Sequence, residues 1–124
     1  MSASSSSKWP NFSADEFART IPPCSIDQMD DKFMDRLQAA RDLAGVPFVI
    51  NSAFRSVSWE ISRKPPRSGR SMHCQGRAVD IKCVDSGSRY RILSALIKAG
   101  FKGIGIDNTF IHVDDRDISL IWTY

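Results

Sequence analysis

The sequence predicts an α+β fold in which helices cover one face of a small sheet. Apolar residues recur at helical spacing in the early part of the chain. Later segments alternate apolar and polar residues as strands do, with one further helical pattern between them. Helices first, followed by strands with one inserted helix, are typical of the α+β class rather than of alternating βα units.

The bulk composition predicts one globular domain. The chain has 124 residues, of which 42% are hydrophobic and 25% charged, enough for a single core. No apolar run approaches the ~18 residues that cross a bilayer, so no membrane span is expected. We expect a disordered polar tail over residues 1–8 and a single domain over residues 9–124.

Charge and cysteine content narrow the function classes. The net charge of +3 suits an anionic cell-wall polymer and is too small to indicate nucleic acid. Cys24, Cys74 and Cys83 include no CxxC pair, so a disulfide framework is not expected. The amino terminus lacks the apolar stretch of a secretory signal. We therefore expect synthesis in the cytoplasm, and if the protein acts outside it, another agent must release it.

The first helix is predicted to begin after Ser13. Ser13 and Glu16 form a capping-box pair, and Phe12 with Phe17 supplies the matching hydrophobic staple. The two prolines that begin at Pro22 end the helix, because proline does not continue the hydrogen-bond ladder.

A longer helix is predicted over residues 27–44. Ser25 and Gln28 offer a capping box at its start, and Gly45 is a natural terminator. Four apolar residues share one helical face: Phe33, Leu37, Ala40 and Ala44.

A buried strand over residues 47–52 comes next, and an irregular basic stretch over residues 57–70 follows it. The basic residues of this stretch are Arg63, Lys64, Arg67 and Arg70. Long loops in small domains often form binding walls or lids. A solvated insertion is the alternative.

The rest of the chain predicts four strands and one helix. The strands cover residues 77–83, 103–106, 110–114 and 118–124, with a turn at residues 107–108. The helix lies between the first two strands, is capped by Ser86 or Ser88 and ends at Gly100. Its apolar face is predicted to consist of Tyr90, Leu93 and Ile97.

The chain's two histidines each have an aspartate close by in sequence. Strand alternation places Asp80 on the polar face of one strand, and His112 and Asp114 together on the polar face of another. Gly76 lets the chain turn so that His73 converges on Asp80. The pattern predicts a metal site of His73, Asp80 and His112, because two imidazoles and a carboxylate commonly hold zinc and leave a fourth position for water.

Residues 71–80 (SMHCQGRAVD) match the motif SxHxxGxAxD position for position. Through this motif the chain resembles the zinc D-alanyl-D-alanine peptidase family. Residues 52–56 (SAFRS) resemble its SGYRS element, and residues 110–116 (FIHVDDR) resemble its closing segment. Residues 11–17 (NFSADEF) are similar to the start of the family's small, single-domain branch. The resemblance extends from about residue 9 to residue 116.

The resemblance implies a hedgehog/DD-peptidase-like fold, with a small antiparallel sheet, helices on one face and a zinc site on the other. It implies Zn²⁺ bound by His73, Asp80 and His112. Arg55 would steady the scissile carbonyl or oxyanion, and both Arg55 and Ser71 would bind substrate. The implied partner is a peptidoglycan peptide. We expect the protein to be a monomer and expect no nucleic-acid partner.

One position departs from the family pattern. Well-studied members carry a catalytic acid three residues before the last zinc-binding histidine, where this chain has Thr109. Threonine is not a general base at its ordinary pKa. Asp114 is the preferred base because it shares a strand face with His112, although orienting that histidine is its alternative role. Asp107, in the turn just ahead, is the second candidate.

The function implied is a zinc peptidase that cleaves peptidoglycan stem peptides or cross-links, of the DD-carboxypeptidase or endopeptidase type. Its small size and lack of a signal peptide are typical of a phage lysis enzyme. A non-catalytic, zinc-containing cell-wall binding module on the same fold is the alternative, favoured by Thr109. Nucleic-acid binding through the basic stretch is a third hypothesis.

Overall fold

A computed structural model describes residues 8–124 and contains one five-stranded sheet in the order β1-β2-β4-β3-β5. The strands are β1 (Ile50–Ser52), β2 (Ala78–Lys82), β3 (Gly103–Ile106), β4 (Phe110–Asp114) and β5 (Leu120–Thr123). The predicted disordered tail lies outside the described residues, except for Lys8.

The α+β class is confirmed, although the sheet is mixed rather than wholly antiparallel. β5 pairs parallel to β3, whereas β1–β2, β2–β4 and β3–β4 are antiparallel. β2 already occupies the other edge of β4, so β5 lies beyond β3. Because the chain reverses once after β4, β5 runs in the same direction as β3.

Within residues 8–124, four α-helices accompany the sheet: α1 (Ala14–Phe17), α2 (Asp31–Ala44), α3 (Val57–Ile61) and α4 (Ser86–Lys98). Two short 3-10 turns, Ile26–Gln28 and Met72–Gln75, lie between them. No helix among the described residues has the length and apolar character needed to cross a membrane.

The core forms between the long helices and one face of the sheet. α2 and α4 pack against each other, and their apolar faces join those of β2 and β4 in one buried cluster. Among its members are Phe33, Leu37, Val79, Ile81, Ile92, Leu96, Ile111 and Val113. Burying each such side chain contributes about 1.5–3 kcal/mol. The opposite face of β2 and β4 carries the polar residues.

The start of α1 confirms the role of Ser13 but not the full capping box. Ser13 Oγ accepts a hydrogen bond from the Glu16 backbone N–H at 3.2 Å. The Glu16 carboxylate instead accepts the Ile50 N–H at 3.2 Å, which ties α1 to β1. The helix ends at Phe17, ahead of the prolines.

The predicted start of the second helix at residue 27 is wrong. The capping box of Ser25 and Gln28 is present, but it belongs to the 3-10 turn. Met29 is extended and buried, which separates that turn from α2. Asp30 then caps α2 by accepting the Phe33 N–H at 2.9 Å.

The stretch over residues 57–70 is not irregular throughout, because it begins with α3. Ser56 caps this helix through the Trp59 N–H at 3.1 Å. The following loop folds back onto the helix, and Gly69 lies so close to Val57 and Ile61 that a side chain there would press on both.

The predicted apolar face of the helix that became α4 is also wrong. In α4 the buried residues are Ile92, Ala95 and Leu96, whereas Tyr90 is 75% and Ile97 51% exposed. The helix cap is Asp85, which accepts the Ser88 N–H at 2.8 Å, rather than either serine.

Candidate metal centre

The structure brings the side chains of His73, Asp80 and His112 together on the polar face of the sheet. Their three candidate ligand atoms all lie within 4.8 Å of one another. Asp80 of β2 is directly opposite His112 of β4 in the antiparallel register, whereas His73 enters from the 3-10 turn. The side chains are largely buried.

Gly76 makes the turn that carries His73 possible. Its φ of 69° lies in the left-handed region, and a Cβ at this position would collide with the Gln28 carbonyl oxygen. The Gly76 carbonyl accepts the Asp30 N–H at 2.9 Å, so the turn is fixed to the start of α2.

Backbone contacts set the tautomer and direction of His73. Its Nδ1 lies 2.6 Å from the Ala53 carbonyl oxygen and donates to it. Nε2 therefore carries the lone pair, and it lies 3.4 Å from Asp80 Oδ1. The His73 carbonyl accepts the Arg55 N–H at 3.2 Å. The segment after β1 thus holds this histidine from both sides.

Asp114 sets the tautomer of His112. His112 Nε2 donates to Asp114 Oδ2 at 2.7 Å, and Nδ1 lies 3.0 Å from Asp80 Oδ1. Nδ1 donates to Asp80 when it is protonated, whereas in the neutral imidazole it offers a lone pair to a metal. Asp114 is fully buried. Arg116 donates to both of its oxygens, from Nε at 2.8 Å and Nη2 at 2.7 Å.

The converging atoms fit a divalent metal ion. In its neutral form each imidazole donates its N–H elsewhere, so two lone pairs and a carboxylate oxygen face one another. Such a set of acceptors is stabilised by a cation between them, and its N, N, O composition suits zinc.

The pKa shifts show the same need for positive charge. Burial by itself raises the pKa of Asp80, but hydrogen bonds with His112 and His73 outweigh it and hold that pKa well below its usual range. Burial lowers the pKa of His112, yet its hydrogen bonds to Asp114 and Asp80 raise that pKa above the ordinary value. Both shifts arise because the carboxylates and the His112 imidazole stabilise each other's charged forms.

Arg55 borders the metal centre and is held by three side chains. Nε donates to Ser52 Oγ at 3.1 Å, Nη1 to Glu60 Oε2 at 3.4 Å and Nη2 to Asp80 Oδ2 at 3.3 Å. A guanidinium has five N–H groups, so donors remain for a ligand in the adjoining pocket.

The ligand atoms lie in the wall of an open pocket of about 540 Å³. Its lining consists of Arg55, Arg67, Ser71, Met72, His73, Asp80, Asp107, Phe110, His112, Asp114, Arg116, Trp122 and Tyr124. β5 forms one side, where the Trp122 ring lies 5.3 Å from that of His112. The basic loop contributes Arg67 to another side.

The two candidate bases have different surroundings. Asp114 is fully buried, and its oxygens are already engaged by His112 and Arg116. Asp107 is partly exposed to the pocket. Its Oδ2 accepts the N–H and the hydroxyl of Thr109 at 3.0 and 2.9 Å. The geometry therefore favours the orienting role for Asp114 and leaves Asp107 as the more accessible carboxylate.

A protein-family model described as Peptidase M15 matches residues 10–114. The match spans most of the chain and includes the three candidate ligands and Arg55. This chain belongs to the peptidase M15 family. M15 peptidases are zinc-dependent, in agreement with the His-Asp-His cluster. No curated protein matches the chain significantly in sequence.

The M15 match ends before Arg116 and Trp122, two pocket residues whose roles the sequence pattern does not indicate. The glycines of β3 are the sequence feature that could have indicated Trp122, because the Trp122 indole packs where Gly105 has no side chain. Glu60 was also missed. The serine cap at Ser56 could have indicated α3 and placed Glu60 near Arg55.

Proposed function

We propose that this M15 family member is a zinc-dependent peptidase that hydrolyses peptide bonds in peptidoglycan stem peptides or cross-links, of the DD-carboxypeptidase or endopeptidase type. The observation that carries the proposal is the convergence of His73, Asp80 and His112, with fixed lone pairs, in a pocket that also contains Arg55 and Asp107. Cell-wall lysis by a phage-type enzyme, acting as a monomer, is the setting we propose.

The pocket residues have separate roles in this proposal. His73, Asp80 and His112 would hold the metal, which would supply Lewis-acid chemistry and make water a better nucleophile there. The remaining N–H donors of Arg55 stabilise the oxyanion that develops on the scissile carbonyl. Asp107 accepts a proton from the attacking water and returns one to the departing amine as the C–N bond breaks.

Charge and shape support an acidic peptide as the substrate. Among the described residues, the Arg67 guanidinium has no hydrogen-bond or ion-pair partner, although it lines the pocket. It is therefore available for a substrate carboxylate. Phe110 and Tyr124, with ring centroids 5.2 Å apart, offer an apolar surface for short side chains.

A non-catalytic, zinc-containing cell-wall binding module is the second candidate. Thr109, in place of the family's usual acid, is the observation that favours it. The same pocket would then hold a wall peptide without cleaving it, because Asp107 would serve only to shape the turn.

Hydrolysis by the zinc-loaded protein distinguishes the two functions. We expect it to release fragments from purified peptidoglycan and to cleave a peptide ending in D-Ala-D-Ala, with mass spectrometry identifying the bond. His73→Ala should abolish cleavage and weaken zinc binding. Gln75→Ala, an exposed change in the same turn, should preserve both. Zinc binding with no turnover by the unaltered protein would favour the binding module.

A further inference from the structure

Glu60 is a buried acid next to the metal centre. Its side chain is 1% exposed, and glutamate is rarely buried to this extent unless it is paired. Oε2 accepts the Ser71 hydroxyl at 2.7 Å and Arg55 Nη1 at 3.4 Å. Oε1 has no hydrogen-bond partner among the described residues. The carboxylate thus contacts both residues expected to bind substrate and none of the three candidate ligands.

Arg55 lies between two carboxylates, and their balance fixes its position. Glu60 attracts Nη1 and Asp80 attracts Nη2, each at slightly more than 3 Å. Without the charge on Glu60, the guanidinium would be attracted mainly toward Asp80. Its free N–H donors would then turn from the pocket toward a ligand of the metal.

We propose that Glu60 is a positioning residue that holds the Arg55 guanidinium and the Ser71 hydroxyl in the orientation required by the substrate. The inference rests on the proposed peptidase function. Because the Ser71 proton is donated to Glu60, the lone pairs of that hydroxyl are left to accept from a substrate N–H.

The backbone of Glu60 extends this role to the basic loop. Its carbonyl accepts the Arg63 N–H at 3.2 Å and the Arg67 N–H at 2.9 Å. The Trp59 ring lies beside two guanidinium groups, 5.5 Å from Arg55 and 4.1 Å from Arg63. α3 is therefore the element that joins the oxyanion donor to the loop wall.

Glu60→Gln tests the proposal because it retains the size of the side chain but removes the charge. We expect kcat to fall about 10- to 100-fold, less than the roughly 10²- to 10³-fold cost of removing an oxyanion donor, because Arg55 remains but is misaligned. Zinc affinity should stay unchanged, since Glu60 contacts none of the three candidate ligands. Glu16→Gln is the matched control, since Glu16 is a half-buried acid bonded to the Ile50 backbone outside this pocket. It should leave kcat unchanged.

A double-mutant cycle separates positioning from general destabilisation. If Glu60 acts through Arg55, Glu60→Gln should reduce kcat less than about three-fold in an Arg55→Lys background. Lysine lacks the planar guanidinium that Glu60 would align, so that contribution is already lost. Retention of full activity by Glu60→Gln would overturn the proposal. So would the same large loss in both backgrounds.

Nitrogen NMR of the Arg55 guanidinium gives a readout that does not require catalysis. We expect separate, slowly exchanging Hη signals in the zinc-loaded protein and in Glu16→Gln, and averaged signals in Glu60→Gln. Absence of turnover by the unaltered protein would reject the peptidase function, whereas the NMR comparison would still decide the role of Glu60. Identical Arg55 signals in Glu60→Gln would overturn that role.

Discussion

At the scale of single residues, the chemistry depends on which atom of each side chain is already engaged. His73 and His112 both donate one N–H to an oxygen, so each has one lone pair left. Asp114 is engaged at both oxygens, whereas Asp107 is engaged by Thr109 at Oδ2. These differences, rather than residue type, distinguish the candidate metal ligands from the proposed orienting carboxylate of Asp114 and from the proposed base, Asp107.

Two substitutions test this division between the aspartates. Asp107→Asn should lower kcat about 10²- to 10⁴-fold because it removes the proposed proton acceptor, with zinc affinity unchanged. Asp114→Asn should weaken zinc binding about 10- to 100-fold because His112 loses the anion that orients it. Steady-state kinetics and competition with a chromophoric chelator measure the two effects.

The control for both substitutions is Asp115→Asn, whose carboxylate pairs with Arg77 at 2.7 Å. It should change neither quantity substantially. If Asp114→Asn lost most of its kcat at full zinc occupancy while Asp107→Asn remained active, Asp114 rather than Asp107 would be the base.

Alternation along the strands was sufficient to predict that Asp80, His112 and Asp114 face the same side of the sheet. It was not sufficient to predict their roles. The role of Asp114 depends on Arg116, which folds back over it through two side-chain hydrogen bonds. Such a contact follows from side-chain conformation and burial, which strand periodicity does not specify.

At the scale of elements, β3 matters because it lacks side chains on the polar face. A Cβ at Gly103 would collide with Asp114 and would press on Arg116. Gly105 similarly leaves room for the Trp122 indole. The two glycines therefore allow neighbouring strands to place large polar and aromatic groups around His112.

Gly103→Ala is expected to displace Asp114 and lower zinc affinity by about ten-fold or more, because the second contact of His112 is disturbed. Gly45→Ala is the matched control. Gly45 has a φ of 69° with no atom near the position of a Cβ, so this change should cost about 1 kcal/mol of stability without affecting zinc. Chelator competition and thermal unfolding distinguish the two. Equal zinc affinity in both variants would contradict the steric argument.

The errors in element prediction have local physical causes. The second helix starts late because Met29 is buried in an extended conformation, and burial outweighed the capping box before it. The face of α4 was misassigned because Tyr90 and Ile97 are apolar but exposed. Periodicity identifies apolar positions only by residue type, whereas the residues that are buried in α4 are Ile92, Ala95 and Leu96.

At the scale of the whole molecule, one charge chain, in which acidic and basic side chains alternate, joins α3 to the far end of β4. Its consecutive members are Glu60, Arg55, Asp80, His112, Asp114 and Arg116. The α+β class and the polar face were predictable because both follow from local patterns. The position of β5 at one side of the pocket was not predictable, because its parallel pairing with β3 depends on contacts distant in sequence.

This charge chain predicts opposite pH dependence for the metal-free and zinc-loaded proteins. The raised pKa of His112 stabilises the metal-free fold below about pH 6.5, and this contribution is lost as pH rises through the folded-state pKa. The lowered pKa values of Asp80 and Asp114 stabilise it above about pH 4. That contribution is lost as pH falls through their folded-state pKa values.

The Tm of the chelator-treated protein should therefore fall between pH 6 and pH 8. With excess zinc it should rise over the same interval, because the metal competes with a proton for His112 Nδ1 and binds more tightly as that proton is lost. Scanning calorimetry in matched buffers measures both slopes, and His112→Asn should reduce both. Parallel slopes with and without zinc would mean that His112 does not bind the metal, since only a shared site makes zinc and proton exclude each other.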